Sequence, residues 1–168
     1  MTKLLLLDAD VIIDLHSLDL FEKICRSYEV CITKTVSNEA KYYKKGGQKY
    51  PIQLHPEIEI IEDIKIKSLM EVEKHAKGVT LQIDPGEAES IAFLIEAEEE
   101  IKFCTCDRAA ITLISYMDLD SKCISLESAL KTVGFKFKNA LYPRHLEDNF
   151  KKCIKQGKEY RIYNLDLT

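Results

Sequence analysis

The stretch LLLLDADVIIDL, Leu4 to Leu15, sets aspartates inside a segment that otherwise reads as buried core. Lys3 to Leu7 is a short apolar run without alternation, the pattern of a central strand in a parallel sheet covered on both faces. After Asp8 the spacing changes. Val11, Ile12, Leu15 and Leu18 recur at helical intervals, which predicts a helix from about Asp10. Asp8 then falls at the carboxyl end of the first strand, with Asp10 and Asp14 just beyond. In open α/β sheets that edge is where ligands bind. A helix cap accounts for one aspartate well and for two less well.

The remainder alternates strand and helix signals. Glu29–Thr33 (EVCIT) predicts a second strand, and Thr35–Lys45 (TVSNEAKYYKK) a helix stopped by Gly46-Gly47. Residues 57–61 (EIEII) alternate as a short or edge strand does, and a helix is expected around Ile64–Ala76. The segment from Asp84, DPGEAESIAFLIEAEEE, opens with Pro85 and repeats Ala88, Ile91, Ala92 and Ile95 on one face, so it reads as a helix. Ile101–Cys106 predicts a strand and residues 107–117 a helix. Residues 122–126 (KCISL) predict another strand, residues 127–134 another helix, and Pro143–Gln156 a last polar helix. Strands alternating with helices predict an α/β fold, a central parallel sheet with helices on both faces.

The chain has 168 residues and a net charge of −4, which is one domain of ordinary size without overall basic character. No apolar run approaches the ~20 residues that span a bilayer, so no membrane is expected. Nothing at the start reads as a secretory signal. The six cysteines, Cys25, Cys31, Cys104, Cys106, Cys123 and Cys153, are therefore expected as reduced thiols in a cytoplasmic protein. Cys104-x-Cys106 has no second pair at ligand spacing.

The expected topology collects acids at strand ends and in first helical turns. Asp8 follows the first strand, Glu39 lies in the helix after the second, Glu87 lies in the first turn opened by Pro85, and Asp107 follows Ile101–Cys106. Right-handed crossovers bring the ends of parallel strands to one edge. Four converging carboxylates repel one another unless a cation holds them, and carboxylate oxygens select hard ions such as Mg²⁺ or Mn²⁺. Such an ion activates water and stabilises charge on a phosphoryl group. Each acid also has a purely structural reading. Asp84 and Glu87 match a capping box, Asp107 an N-cap, and Glu39 a solvated helix position. Glu89 is an accessory candidate, two residues past Glu87 and so aimed elsewhere on the helix.

The pieces LLLLDADVIID, TVSNEA, DPGEAESIAFL and FCTCDRAAI, in that order and at that approximate spacing, resemble the PIN-domain nucleases, the fold of VapC-like toxins and of many RNA-processing enzymes. The resemblance implies a three-layer α/β/α fold and a metal-dependent endoribonuclease. Its acidic set, Asp8, Glu39, Glu87 and Asp107, would hold one or two Mg²⁺ or Mn²⁺ ions. Thr105 stands where such proteins often carry a hydroxyl two residues before the last acid. Asp10 stands where they more often carry Asn, Ser or Thr, an added charge. The resemblance covers about residues 1–130. It implies a nuclease domain over 1–134 with an insertion at about 46–82, and leaves 135–168 as a helical extension on the same domain. Toxins of this family usually dimerise and are blocked by a small antitoxin protein, so both partners are implied here by the resemblance alone.

Two other readings use the same residues. The pattern hhhhDxD also opens haloacid-dehalogenase-like phosphatases, which would make Asp8 a nucleophile and Asp10 a general acid. Against that, Gly-Thr does not follow Asp10, and Glu39 and Glu87 would stay idle. A nuclease-like fold turned binding module is the third. For substrate, KYYKKGGQKY (Lys41–Tyr50) carries four lysines and three tyrosines, and residues 151–163 add four lysines and an arginine. Lysines hold phosphates and tyrosines stack on unpaired bases, which suits single-stranded or looped RNA.

Overall fold

The structure is a computed structural model that describes residues 3–98, 100–136 and 141–165. Parts of the extension expected over 135–168, namely 137–140 and 166–168, lie outside the described residues. A five-stranded, all-parallel sheet has the order β5-β2-β1-β6-β7, formed by β1 (Lys3–Leu7), β2 (Tyr28–Thr33), β5 (Glu59–Ile61), β6 (Ile101–Cys104) and β7 (Cys123–Ile124). β1 is central, as its unbroken apolar run predicts, and 57–61 supplies an edge strand. The register pairs Leu5 with Val30 on one side and with Lys102 on the other.

Because side chains alternate along a strand, each strand feeds two cores. Leu5, Leu7, Val30, Ile32 and Cys104 pack with α1 (Ala9–Ser17), α2 (Phe21–Ser27) and α7 (Leu126–Thr132). Leu6, Cys31, Ile101 and Phe103 face the other way, onto α4 (Ile66–Gly78), α5 (Pro85–Glu96) and α6 (Arg108–Tyr116). The result is a three-layer α/β/α fold. Leu5, Leu6 and Leu7 are wholly buried, which is why the strand carries no polar face.

The helix expected over Thr35–Lys45 is not formed as such. α3 covers only Lys34–Glu39, and Tyr42–Lys45 (β3) pairs antiparallel with Gln48–Pro51 (β4) in a separate two-stranded sheet. Gly46 and Gly47 both have positive φ, 58° and 79°, the backbone of a tight hairpin turn. The glycines thus turn a hairpin and do not stop a helix. The last helix, expected over Pro143–Gln156, begins later and runs further: Pro143–His145 is a 3₁₀ turn, and α8 spans Glu147–Leu165. α8 lies along α6. Ser115 donates to the Ile154 carbonyl at 2.7 Å, and Gly157 comes so close that a Cβ there would lie 2.3 Å from the Thr112 carbonyl oxygen. The cysteines are free thiols, five of the six buried. Among the described residues no helix is long and apolar enough to cross a membrane.

Candidate active site

β1 ends at Leu7, immediately before Asp8, and β6 ends at Cys104, three residues before Asp107; the two strands are neighbours. The Asp8 N–H continues their ladder, donating to the Cys104 carbonyl at 3.2 Å. Asp8 is 4% exposed. One of its oxygens accepts from the Ala9 N–H at 2.8 Å and so caps α1; the other accepts from the Thr105 hydroxyl at 2.8 Å. Thr105 in turn accepts from the Asp107 N–H at 3.1 Å, so one buried hydroxyl sets the two aspartates against each other. Asp107 caps α6 through Oδ1, which accepts from the Ala110 N–H at 2.8 Å.

Glu87 reaches the same place from α5. Its Oε2 closes the capping box with the Asp84 N–H at 3.1 Å. The capping readings and the clustering are compatible because each cap uses one oxygen. Among the described residues Glu87 Oε1 and Asp107 Oδ2 accept no hydrogen bond.

The electrostatics register the crowding. Burial pushes Asp8 up to about 6, with Asp10 and Asp107 adding to it and the Thr105 and Ala9 hydrogen bonds pulling it down. Burial pushes Glu87 further, to about 8, helped by the charges of Asp107 and Asp8. Glu39 lies at the exposed rim. Its carboxyl is raised by what burial it has, then by Asp84, Glu89 and Asp10, while the Gly86 N–H pulls it down. A Cβ on Gly86 would lie 2.6 Å from Glu39 Oε2, so the absent side chain is what lets Glu39 approach α5. Asp8 and Glu87 are therefore buried side by side with the half-buried Asp107, and Glu39 and Asp10 stand at the edge of the group. Glu89 is turned away, as its spacing predicts. It accepts from the Thr35 hydroxyl at 2.7 Å and from the Thr35 N–H at 3.3 Å, tying α5 to α3.

A second constellation was not read from the sequence. Asp14 is 5% exposed, and its Oδ2 accepts from His145 Nε2 at 2.6 Å and from Arg144 Nε and Nη2 at 2.8 and 2.6 Å. Burial raises the Asp14 pKa, but His145 and Arg144 outweigh it and hold the carboxyl below its ordinary value. Arg144 Nη1 also donates to Asp10 at 3.3 Å. Residues 144–145 thus clasp α1 and bring a guanidinium beside the acid group. Cys106 joins Asp14 and His145 with ligand atoms within 4.8 Å of one another, a mixed donor set that suits a softer ion than Mg²⁺. Arg144 already supplies positive charge to that aspartate. The local signal was the i, i+4 spacing of Asp10 and Asp14 on one helix face; nothing local points to the partners.

Comparisons with protein-family models, with curated proteins and with solved structures found no match for the chain.

Proposed function

We propose that the chain is a metal-dependent endoribonuclease of the PIN-domain type, hydrolysing RNA phosphodiester bonds. One observation carries the reading. Asp8, Glu87 and Asp107 come from three distant parts of the sequence and crowd together at the carboxyl ends of β1 and β6, with two of the carboxyls raised to about 6 and about 8. A fold that concentrates like charge out of water stores a free energy that a divalent cation releases on binding.

The donor set fits such an ion. It consists of carboxylate oxygens, the ligands of Mg²⁺ and Mn²⁺, and two of them accept no other hydrogen bond among the described residues. Asp8, Glu87 and Asp107 would hold it, and Glu39 would complete the set from the rim. Bound there, the ion supplies Lewis acidity toward a phosphoryl oxygen and a water of lowered pKa. The chain does the rest. Thr105 fixes the Asp8 carboxylate and the Asp107 backbone. The capping box fixes Glu87. Arg144 offsets the charge of Asp10 and Asp14 beside the site. The phosphatase alternative is less well served: Asp10 accepts from Arg144, which ties up an oxygen that a general acid would present to the leaving group.

Asp8→Asn tests the proposal. It keeps the shape and removes one charge, so apo stability should hold or rise slightly while Mn²⁺ affinity by calorimetry and RNA cleavage both fall at least tenfold. Unchanged Mn²⁺ affinity together with lost p-nitrophenyl phosphate hydrolysis would favour the phosphatase. A parent protein that binds no Mn²⁺ would leave a non-catalytic binding module. If the toxin analogy extends to this chain, a small inhibitory protein and a homodimer are its proposed partners.

A further inference from the structure

We infer that the β3–β4 hairpin is the surface that holds a single-stranded RNA segment leading to the acidic site, an inference that rests on the nuclease reading above. The hairpin contributes nothing to either core; its strands are almost wholly exposed. It is nonetheless built to stay in one place. A two-stranded ribbon is marginal alone, and here a column of rings pins one face to α1. Phe21 stacks on His16 at 4.1 Å, His16 on Tyr43 at 5.6 Å, and Tyr43 on its cross-strand partner Tyr50 at 5.4 Å. Lys45 at the tip pairs with Asp19 just past the end of the same helix.

The opposite face carries Tyr42, Lys44 and Lys49. Lys44 lies directly across from Lys49, a like-charged pair that costs the ribbon stability. No carboxylate pairs with Lys41, Lys44 or Lys49 among the described residues. In a chain of net charge −4, an uncompensated row of ammonium groups on a rigid ribbon is complementary to a polyanion. The Lys49 Nζ lies 4.2 Å from the centre of the Tyr42 ring, and that ring is 50% exposed. An ammonium beside an exposed ring matches a nucleotide whose phosphate and base are both accessible, which is the single strand and not the duplex.

Position links this surface to the carboxylates. β3 begins three residues after Glu39, and the Lys41 N–H donates to the Glu39 carbonyl at 2.9 Å. The ribbon then runs along α1, from the end that holds Asp10 toward the end that holds His16 and Asp19. RNA lying on it has one end at the acid group.

The test uses the full chain and a fluorescent oligouridylate, titrated in EDTA so that no cleavage occurs, across a salt series. The parent should bind the single strand and bind a duplex RNA of equal length at least tenfold less tightly. In Lys44→Ala/Lys49→Ala the slope of log affinity against log salt should shrink by about 1.4, at ~0.7 per lost phosphate contact. Tyr42→Ala should weaken binding about tenfold with the slope unchanged. Neither variant should melt more than a few degrees from the parent, since the residues are exposed, and any shift in the double lysine variant should be upward because the like-charged pair is gone. Unchanged affinity and slope in the double lysine variant, equal binding of duplex, or no binding by the parent overturns the inference. The two proposals fail separately. Hairpin-dependent binding without Mn²⁺-dependent cleavage leaves this surface standing and removes the nuclease. Cleavage that survives intact in the hairpin variants does the reverse.

Discussion

At the scale of single residues, the fold position of Asp8 and Asp107 was legible because both directly follow apolar runs, and a strand's end is a local property. The Asp14–His145 contact was not, because its partners are 131 residues apart and neither side carries a pattern that names the other. Gly86 shows how a residue without a side chain can serve a site. Its φ is open to alanine, and a Cβ would meet the movable end of Glu39 at 2.6 Å and Val36 Cγ2 at 3.1 Å. Gly86→Ala should therefore fold at least as well, with a gain of up to about 1 kcal/mol from helix propensity, while displacing the Glu39 carboxylate. We expect a melting temperature within a few degrees of the parent and a 10- to 100-fold loss of Mn²⁺ affinity and cleavage. Calorimetry and a thermal melt on the same preparation check this; an unchanged Mn²⁺ isotherm removes Glu39 from the ligand set.

At the scale of elements, all five strands of the parallel sheet could be placed: the inner ones from apolar runs, because a strand buried on both faces has little choice of composition, and the exposed edge strand β5 from its alternation. The hairpin was misread for an instructive reason. Lys41–Lys45 is compatible with helix or strand, and only the requirement of Gly46 and Gly47 for positive φ on both residues decides for a ribbon. α2 (Phe21–Ser27) went unseen because seven residues show too little periodicity. The packing of α8 on α6 was equally hidden, since close approach is marked by a single glycine. There Gly157→Ala should lower stability by about 1–3 kcal/mol, because the new Cβ meets backbone atoms of Thr112 and Tyr116 that cannot step aside. Gly78→Ala in α4 meets nothing within 4 Å and should instead be neutral or stabilise by a few tenths of a kcal/mol. Urea titration of the two variants should give midpoints on opposite sides of the parent, or Gly78→Ala at the parent's own.

At the scale of the whole molecule, the buried acids make stability depend on pH with a sign that metal should reverse. Asp8 is raised from 3.8 to about 6 and Glu87 from 4.5 to about 8, so between about pH 4 and 8 the folded chain holds protons that the unfolded chain has released. Stability therefore falls as pH rises through that window, by a few kcal/mol in all. Asp14, lowered by its partners, acts oppositely and withdraws its contribution only under more acid conditions. In EDTA the protein should melt higher at pH 5 than at pH 8. In millimolar Mn²⁺ the order should invert, because the ion binds the deprotonated carboxylates and stabilises by mass action. Differential scanning fluorimetry across both series checks this, and a profile unaffected by Mn²⁺ would count against the metal centre. The clasp of Arg144 and His145 on Asp14 has a consequence in time. Asp14 leaves the ribosome 130 residues ahead of Arg144, an interval of roughly 7 to 26 seconds at ~5–20 residues per second. Throughout it the first helix carries Asp10 and Asp14 without their countercharge. The segment that quiets them is translated after every strand of the parallel sheet, so the first helix gains its countercharge only once the whole sheet has been made.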